Sequence, residues 1–531
     1  MRCLYFIRRT IVCLLTVITC VSGALAQSLD APVITILHTN DTHSQFDAYD
    51  NGKGQPRGGV VERASLLEYF RQQDPDLLYL DAGDMIQGSP YFNIFGGELE
   101  MICMNQQRLI ASTFGNHEFD NGLEELRKML SKADFPLISA NVHCEGTPVE
   151  HQVLPHLITE SHGVKIGITG VTCPLEGLVF ARNWQGITYE DPIAAVNREA
   201  DVLRHEGCDL VIVLSHLGYT PWNKSKRSSV EDDSLVAAIH GVDIVIGAHT
   251  HVNIERGVWF DDSEGHPAIV TQTGGKGNPI GYLQVTMKRG SKYEGCQYSV
   301  DSIVCKKLHP EDYDLAGYGN DMRELLAPYT EALQAQMNVV LGYAPERMDK
   351  GRPQGLLGNF TADALRHIGQ KLWGRTIDFS VMNNGGLRNV LPAGDVTVGT
   401  LYSIYPFENT VALIELQGKE LKSLIQSLAG RGMESISGAT VQLVMNGDRS
   451  EAADVRIQGK EIDDDHVYNI ATIDYLAEGN SGMTALTRCV SSHDTGIRLR
   501  DAMIDYVKEL TAEGKTVSSA LDDRVTGPKE Q

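Results

Sequence analysis

Val33-Ile34-Thr35-Ile36-Leu37-His38-Thr39-Asn40-Asp41-Thr42-His43 passes from an apolar, β-branched run into a cluster of metal-ligating residue types. Such a run predicts a strand covered on both faces, as in layered α/β proteins. The pattern returns along the chain. Leu77-Leu78-Tyr79-Leu80 precedes Asp81-Ala82-Gly83-Asp84, and a further apolar stretch closes on Gly115-Asn116-His117-Glu118. Leu210-Val211-Ile212-Val213-Leu214 precedes Ser215-His216, and Ile244-Val245-Ile246 precedes Gly247-Ala248-His249-Thr250-His251. Val164-Lys165-Ile166-Gly167-Ile168 is one more run of the same kind.

Loops at the carboxyl ends of neighbouring strands converge on one rim of such a sheet, so clusters far apart in sequence can meet there. Taken singly, Asp41 and Asp84 read as turn or cap residues, Asn116 as a left-handed turn residue, and His216 or His249 as core histidines. Five clusters, each closing the same kind of run, point instead to a shared site. Asp, Asn and His together give mixed oxygen and nitrogen ligation, suited to zinc, manganese or iron, and a carboxylate can bridge two ions.

Outward from this region, Met322, Leu325, Leu326, Tyr329 and Leu333 recur at helical spacing between Pro310 and Met337, predicting a linker helix over residues 309–338. A second α/β unit is expected over residues 339–525. Its signals are a helix face of Leu357, Phe360, Ala364, Leu365, Ile368 and Leu372, and a strand from Val411 to Leu416. In this unit Asn383-Asn384-Gly385-Gly386-Leu387-Arg388 follows a short strand. It reads either as an anion- or base-recognition loop or as an Asn-Gly turn with a surface arginine. Phe407 and Tyr475 fit stacking or core positions equally well.

The 531 residues carry 46 Lys+Arg against 69 Asp+Glu, a formal charge of −23. That balance repels polyphosphate backbones and disfavours a general nucleic-acid binder, while leaving room for a local site for a small anion. Arg2, Arg8 and Arg9, the apolar run Ile11 to Val21 and Ala24-Leu25-Ala26 form the three-part layout of a secretory signal peptide over residues 1–26. The run is well short of the ~20 residues a membrane span needs. Thr19 is bulkier than the residue that usually precedes a lipid-anchored cysteine, which disfavours Cys20 as such a site. Seven cysteines follow the leader. Cys296 and Cys305 are the disulfide candidates by their short separation, with free thiols an equal reading.

The clusters resemble those of the metallophosphoesterase superfamily, and over nearly the whole chain those of its secreted two-domain 5'-nucleotidases. The resemblance implies a four-layer α/β/β/α dimetal domain over residues 30–308 and a C-terminal nucleotide-binding domain. On that pattern Asp41, His43, Asp84 and His251 hold one divalent metal, while Asp84, Asn116, His216 and His249 hold the other. Two ions of the zinc or manganese kind would clamp a phosphoryl group and acidify a water for in-line attack. His117 matches the catalytic histidine, with Asp120 placed to orient it; the other reading of Asp120 is a helix cap. Asn383 and Arg388 would meet base and phosphate, Phe407 and Tyr475 would sandwich the base, and Arg352 is the one arginine offered upstream for phosphate.

Ser481 departs from the pattern, standing where relatives usually carry an aspartate that holds ribose hydroxyls. The implied reaction is hydrolysis of nucleoside 5'-monophosphates in the periplasm or outside the cell. UDP-sugars, nucleoside di- and triphosphates and 2',3'-cyclic nucleotides are the neighbouring substrates. A binding protein that had lost catalysis would show a damaged ligand set, and here every ligand position is intact. His117→Ala is expected to keep both metals, read by elemental analysis, and to lose most turnover.

Overall fold

The computed structural model describes residues 31–50, 56–176, 178–221, 229–447 and 449–527; the expected leader lies outside them. The chain divides into two compact units, residues 1–87 with 95–322, and residues 88–94 with 323–531.

The first unit contains two sheets. One has seven strands in the spatial order Tyr298–Leu308, Ile280–Arg289, Val33–Thr39, Leu78–Asp81, Ala111–Ser112, Leu137–Ile138, Val153–Leu154. The other has six: Val258–Asp261, Pro267–Thr271, Ile244–Gly247, Leu210–His216, Val164–Thr172, His156–Ser161. The period of two explains how the layers stack. Leu210, Ile212 and Leu214 join Ile34, Ile36, Leu78 and Leu80 in the core between the sheets. The alternate Val211 and Val213 face the other way and pack with Val196 and Leu203 of the helix Pro192–His205. On the seven-stranded sheet Tyr79, out of phase with Leu78 and Leu80, turns its hydroxyl to Met104 on the helix Glu98–Gln106. Helices therefore cover both outer faces, and the unit is the expected four-layer α/β/β/α sandwich.

Register sets where the loops emerge. Val33–Thr39 and Leu78–Asp81 run parallel with Thr39 level with Asp81, and Leu210–His216 runs parallel to Ile244–Gly247 with Ser215 level with Gly247. Within each sheet, the polar segments after these strands therefore leave from the same end.

The second unit has a five-stranded sheet in the order Ser435–Ser437, Phe379–Met382, Val467–Ile473, Thr410–Gln417, Ser491–Arg498. The helix Leu356–Trp373 lies against it, burying Leu357, Phe360, Ala364, Leu365 and Ile368. Leu372 departs from the expected face and is 39% exposed, at the end of the helix, which stops at Trp373 and is capped by the left-handed Gly374. Gly88–Ile94 also groups with this unit, where Tyr91 and Thr330 share a 3.0 Å hydroxyl hydrogen bond.

The proposed Cys296–Cys305 disulfide is not formed. All seven described cysteines are free. Cys305 is held within the strand opposite Leu283, with its thiol toward Thr271 Oγ1, whereas Cys296 lies before that strand and points to the Cys208 carbonyl at 3.2 Å.

Glu100 is 4% exposed, accepts a 2.5 Å hydrogen bond from Ser44 Oγ and leaves Oε2 without a partner. Burial raises its pKa from 4.5 to about 7. An acid with a raised folded pKa takes up its proton on folding, so stability is full below pH 4.5 and falls as pH rises toward about 7. Glu100→Gln removes this loss. By thermal unfolding the variant should match the wild type near pH 4.5 and exceed it by about 3 kcal/mol at pH 8.

Candidate active site

The loops that close the strands of the first unit are knitted together by their backbones. Asp41 N donates to Gly83 O at 2.9 Å, and His43 N donates to Asp84 O at 3.1 Å. Asp41, His43, Asp84, His249 and His251 all adopt positive φ, between 47° and 72°. Five non-glycine residues in this region are a concentration of backbone strain that the surrounding hydrogen bonds must hold. The neighbouring glycines let the loops approach: a Cβ on Gly115 would collide with Asp84 Oδ1, and one on Gly83 would lie 2.5 Å from Gly115 N.

Three groups of ligating side chains result, each with its donor atoms within 4.8 Å of one another: Asp41, His43 and His251; His43, Asp84 and His117; Asp84, His216 and His249. Asp84 Oδ2 lies 3.1 Å from His216 Nε2 and 3.9 Å from His43 Nε2, and Oδ1 accepts from His117 N at 2.9 Å. Burial alone would raise the Asp84 pKa, but His216, His117 and His43 outweigh it and hold the carboxyl well below its usual range. Burial likewise lowers the His216 pKa, and Asp84 reverses this, pushing it up to about 10.

The donor set fits cations. His216 Nδ1 faces the Ala82 carbonyl at 2.8 Å and His43 Nδ1 faces the Ile86 carbonyl at 3.3 Å. A carbonyl only accepts, so each ring carries a proton on Nδ1, which leaves Nε2 as the nitrogen that would turn to a cation on loss of its own proton. His216 Nε2 is buried without a hydrogen-bond partner, as is Asn116 Oδ1, and His43 Nε2 stands 3.0 Å from His251 Nε2. Ring nitrogens this close beside the two buried carboxylates Asp41 and Asp84 call for positive charge among them, supplied by ring protons or by a bound cation.

His117 Nδ1 lies 2.6 Å from Asp120 Oδ2. Asp120 does not cap the next helix, Leu123–Leu130, whose N-cap is Gly122. Burial lowers the His117 pKa, but Asp84 and Asp120 together push it up to about 9.

Several bracing residues were not singled out in the sequence reading. The Glu118 carboxylate accepts from Gly115 N at 2.6 Å, Asp84 N at 3.0 Å and Met85 N at 2.8 Å, joining two of the loops. Asn40 donates to Asp41 Oδ2 at 2.6 Å and accepts from Thr273. Asp81, although part of a polar cluster, is used internally by Thr39, Gly83 and Ser112. Adjacency to ligand positions was the only sequence signal for these residues.

In the second unit Asn383 is 8% exposed, donates from Nδ2 to Ser481 Oγ at 3.3 Å and leaves Oδ1 without a partner. The Arg388 guanidinium lies over the Phe407 ring, 5.1 Å from its centroid. Phe407 is half-buried and Tyr475 is 39% exposed, so neither is a core residue. Arg352 pairs with the buried Glu434 at 2.5 Å and donates to the Arg431 carbonyl.

A sandwich of this kind with such a donor set defines a metallophosphoesterase. The calcineurin-like phosphoesterase family profile matches residues 34–253, and that of the 5'-nucleotidase C-terminal domain matches residues 335–488. The chain is 28% identical to a 5'-nucleotidase of Diplobatis ommata, covering 93% of this chain and 89% of that one, and 27% identical to a human 5'-nucleotidase, covering 96% and 93%. The crystal structure of a 5'-nucleotidase precursor from Thermus thermophilus superposes with a TM-score of 0.71 at 26% identity, covering 93% of this chain and 99% of that one. The chain belongs to the two-domain 5'-nucleotidase family of metallophosphoesterases. It is a hydrolase of phosphoric esters, and its family implies the use of divalent metal.

Glu118→Ala would strand three buried amides. The expected result is a loss of about 3 kcal/mol in unfolding free energy, with metal content per chain reduced on elemental analysis.

Proposed function

We propose that this chain is a secreted dimetal phosphohydrolase that releases phosphate from nucleoside 5'-monophosphates. The observation that carries the reading is the position of Asp84, grouped with His43 on one side and with His216 and His249 on the other, where one carboxylate can serve two adjacent cations. Asp41, His43, Asp84 and His251 would hold one ion, and Asp84, Asn116, His216 and His249 the other. Zinc and manganese suit this set of oxygen and nitrogen donors. When bound, the pair supplies charge neutralisation for the phosphoryl oxygens and an acidified water.

The remaining chemistry belongs to the protein. Asp120 accepts a hydrogen bond from His117 Nδ1–H, fixing the ring so that a protonated Nε2 donates to the phosphoryl group as charge moves to the leaving oxygen. In the second unit Arg388 takes phosphate and Asn383 the base, while Phe407 and Tyr475 supply exposed aromatic surface for stacking, which any nucleobase can use. Secretion is supported by the leader-like residues 1–26 and by similarity to proteins described as snake venom 5'-nucleotidases.

The test is phosphate release by metal-loaded protein from AMP, UMP, ATP, UDP-glucose, 2',3'-cyclic AMP and an aryl phosphate. The 5'-monophosphates should be preferred at least tenfold in kcat/KM. Turnover of the cyclic or aryl esters alone would overturn the substrate assignment and leave the phosphoesterase class intact.

A further inference from the structure

Phe379–Met382 and Val467–Ile473 are parallel neighbours, with Ser380 level with Ala471, so the segments that follow leave the same end of the sheet. Ligands of open α/β sheets bind at such ends. Here Asn383 reaches across to Ser481 Oγ, and its other amide atom is buried without a partner. Ser481 is left-handed, at φ 53°, between Gly479 and Gly482 at 89° and 74°. That turn, closed by Asn480 Nδ2 on the Tyr475 carbonyl at 2.9 Å, directs the Ser481 carbonyl to the guanidinium of Arg431.

Arg431 follows the helix Gly418–Ala429 and is exposed. Among the described residues its recorded side-chain partner is that carbonyl alone, and no carboxylate pairs with it. Its own carbonyl is held by Arg352, whose guanidinium is neutralised by Glu434, and Glu434 Oε2 accepts from Asn384 N at 2.6 Å. Asp474, the carboxylate beside Tyr475, is turned to Thr410 Oγ1 and Tyr475 N. The rim thus offers a second cation, Arg431, beyond the Arg388 that the proposed reading assigns to the reacting phosphate.

A free ribose diol is neutral and is held best by a carboxylate that accepts from both hydroxyls. Arg431 and the Ser481 hydroxyl instead present N–H and O–H donors, which match the acceptor oxygens of an anion. We infer that Arg431 and Ser481 form a sugar-side subsite for a second phosphate, so that the favoured substrates are nucleoside 5'-phosphates also phosphorylated on the 2' or 3' oxygen. The unpartnered Asn383 Oδ1 stays available to the base, as in the nucleotide reading, beside the Ser481 hydroxyl that its own Nδ2 contacts. This inference rests on the nucleotide reading above. The reaction is unchanged: water oxygen bonds to the 5'-phosphorus, the bond from that phosphorus to the 5'-oxygen breaks, and a nucleoside 3'- or 2'-phosphate leaves with inorganic phosphate.

The experiment compares kcat and KM of the metal-loaded full chain on AMP, adenosine 3',5'-bisphosphate and ADP, for the wild type, Arg431→Ala, Arg431→Lys and Ser481→Asp. The wild type should favour the bisphosphate over AMP at least tenfold in kcat/KM, through KM, with no such gain for ADP. Arg431→Ala and Ser481→Asp should bring the ratio to about one, and Arg431→Lys should keep part of it. A wild-type ratio near one, a ratio untouched by Arg431→Ala, or an equal Arg431-dependent gain for ADP would overturn the inference. If no nucleotide turns over, the proposed function fails separately. Calorimetric binding of adenosine 3',5'-bisphosphate then decides the subsite, since Arg431-dependent binding supports it and its absence refutes it.

Discussion

Asp84 places a carboxylate that is 2% exposed beside His216, His43 and His117, and a charge so deeply buried is tolerated only where opposite charge and hydrogen bonds surround it. The rest of the N-terminal rim can be understood from that requirement. Glu118, another buried carboxylate, would repel Asp84. Instead it holds the Asp84, Met85 and Gly115 amides, so that the like charges are separated by N–H dipoles that both strands of the rim supply. The same dependence explains why the flanking residues at Gly83 and Gly115 are glycine. Any side chain there would occupy the space in which the two loops meet.

The sandwich gives this rim its stiffness. Strands buried on both faces cannot slide without moving every alternate side chain from one layer to the other, so their ends are fixed in register. Left-handed residues at Asp41, His43, Asp84, His249 and His251 are individually unfavourable, and their persistence follows from the strands that anchor each loop and the backbone hydrogen bonds between loops. Pre-positioned donors of this kind need little reorganisation when they receive a cation or a phosphoryl group.

The second unit is built on different physics. Its rim is organised by guanidinium groups and short polar turns: Arg352 is spent on Glu434, Arg388 lies over an aromatic ring, and Arg431 holds a strained serine turn. Metal chemistry demands a fixed set of donors, which leaves little room for variation. Recognition by hydrogen bonds and stacking can change with one or two side chains, which leaves this rim freer to vary than the other.

The layered fold and the gathering of the Asp and His clusters were legible in the sequence because both rest on local patterns. Runs such as Leu210 to Leu214 alternate toward two covered faces, and each ligand cluster follows immediately from the end of a strand or apolar stretch. Asp120 as the partner of His117 was legible for the same reason, three residues being one turn. The tertiary structure alone decided which histidine nitrogens face inward, because those choices depend on carbonyls such as Ala82, 134 residues from His216. It also decided that Cys296 and Cys305 stay apart, that Gly88–Ile94 joins the second unit, and that Arg431 rather than a carboxylate attends Ser481. Residue pattern specifies burial and local conformation, whereas hydrogen bonds between distant segments depend on the register in which whole strands pack, and that register is a property of the assembled sheets.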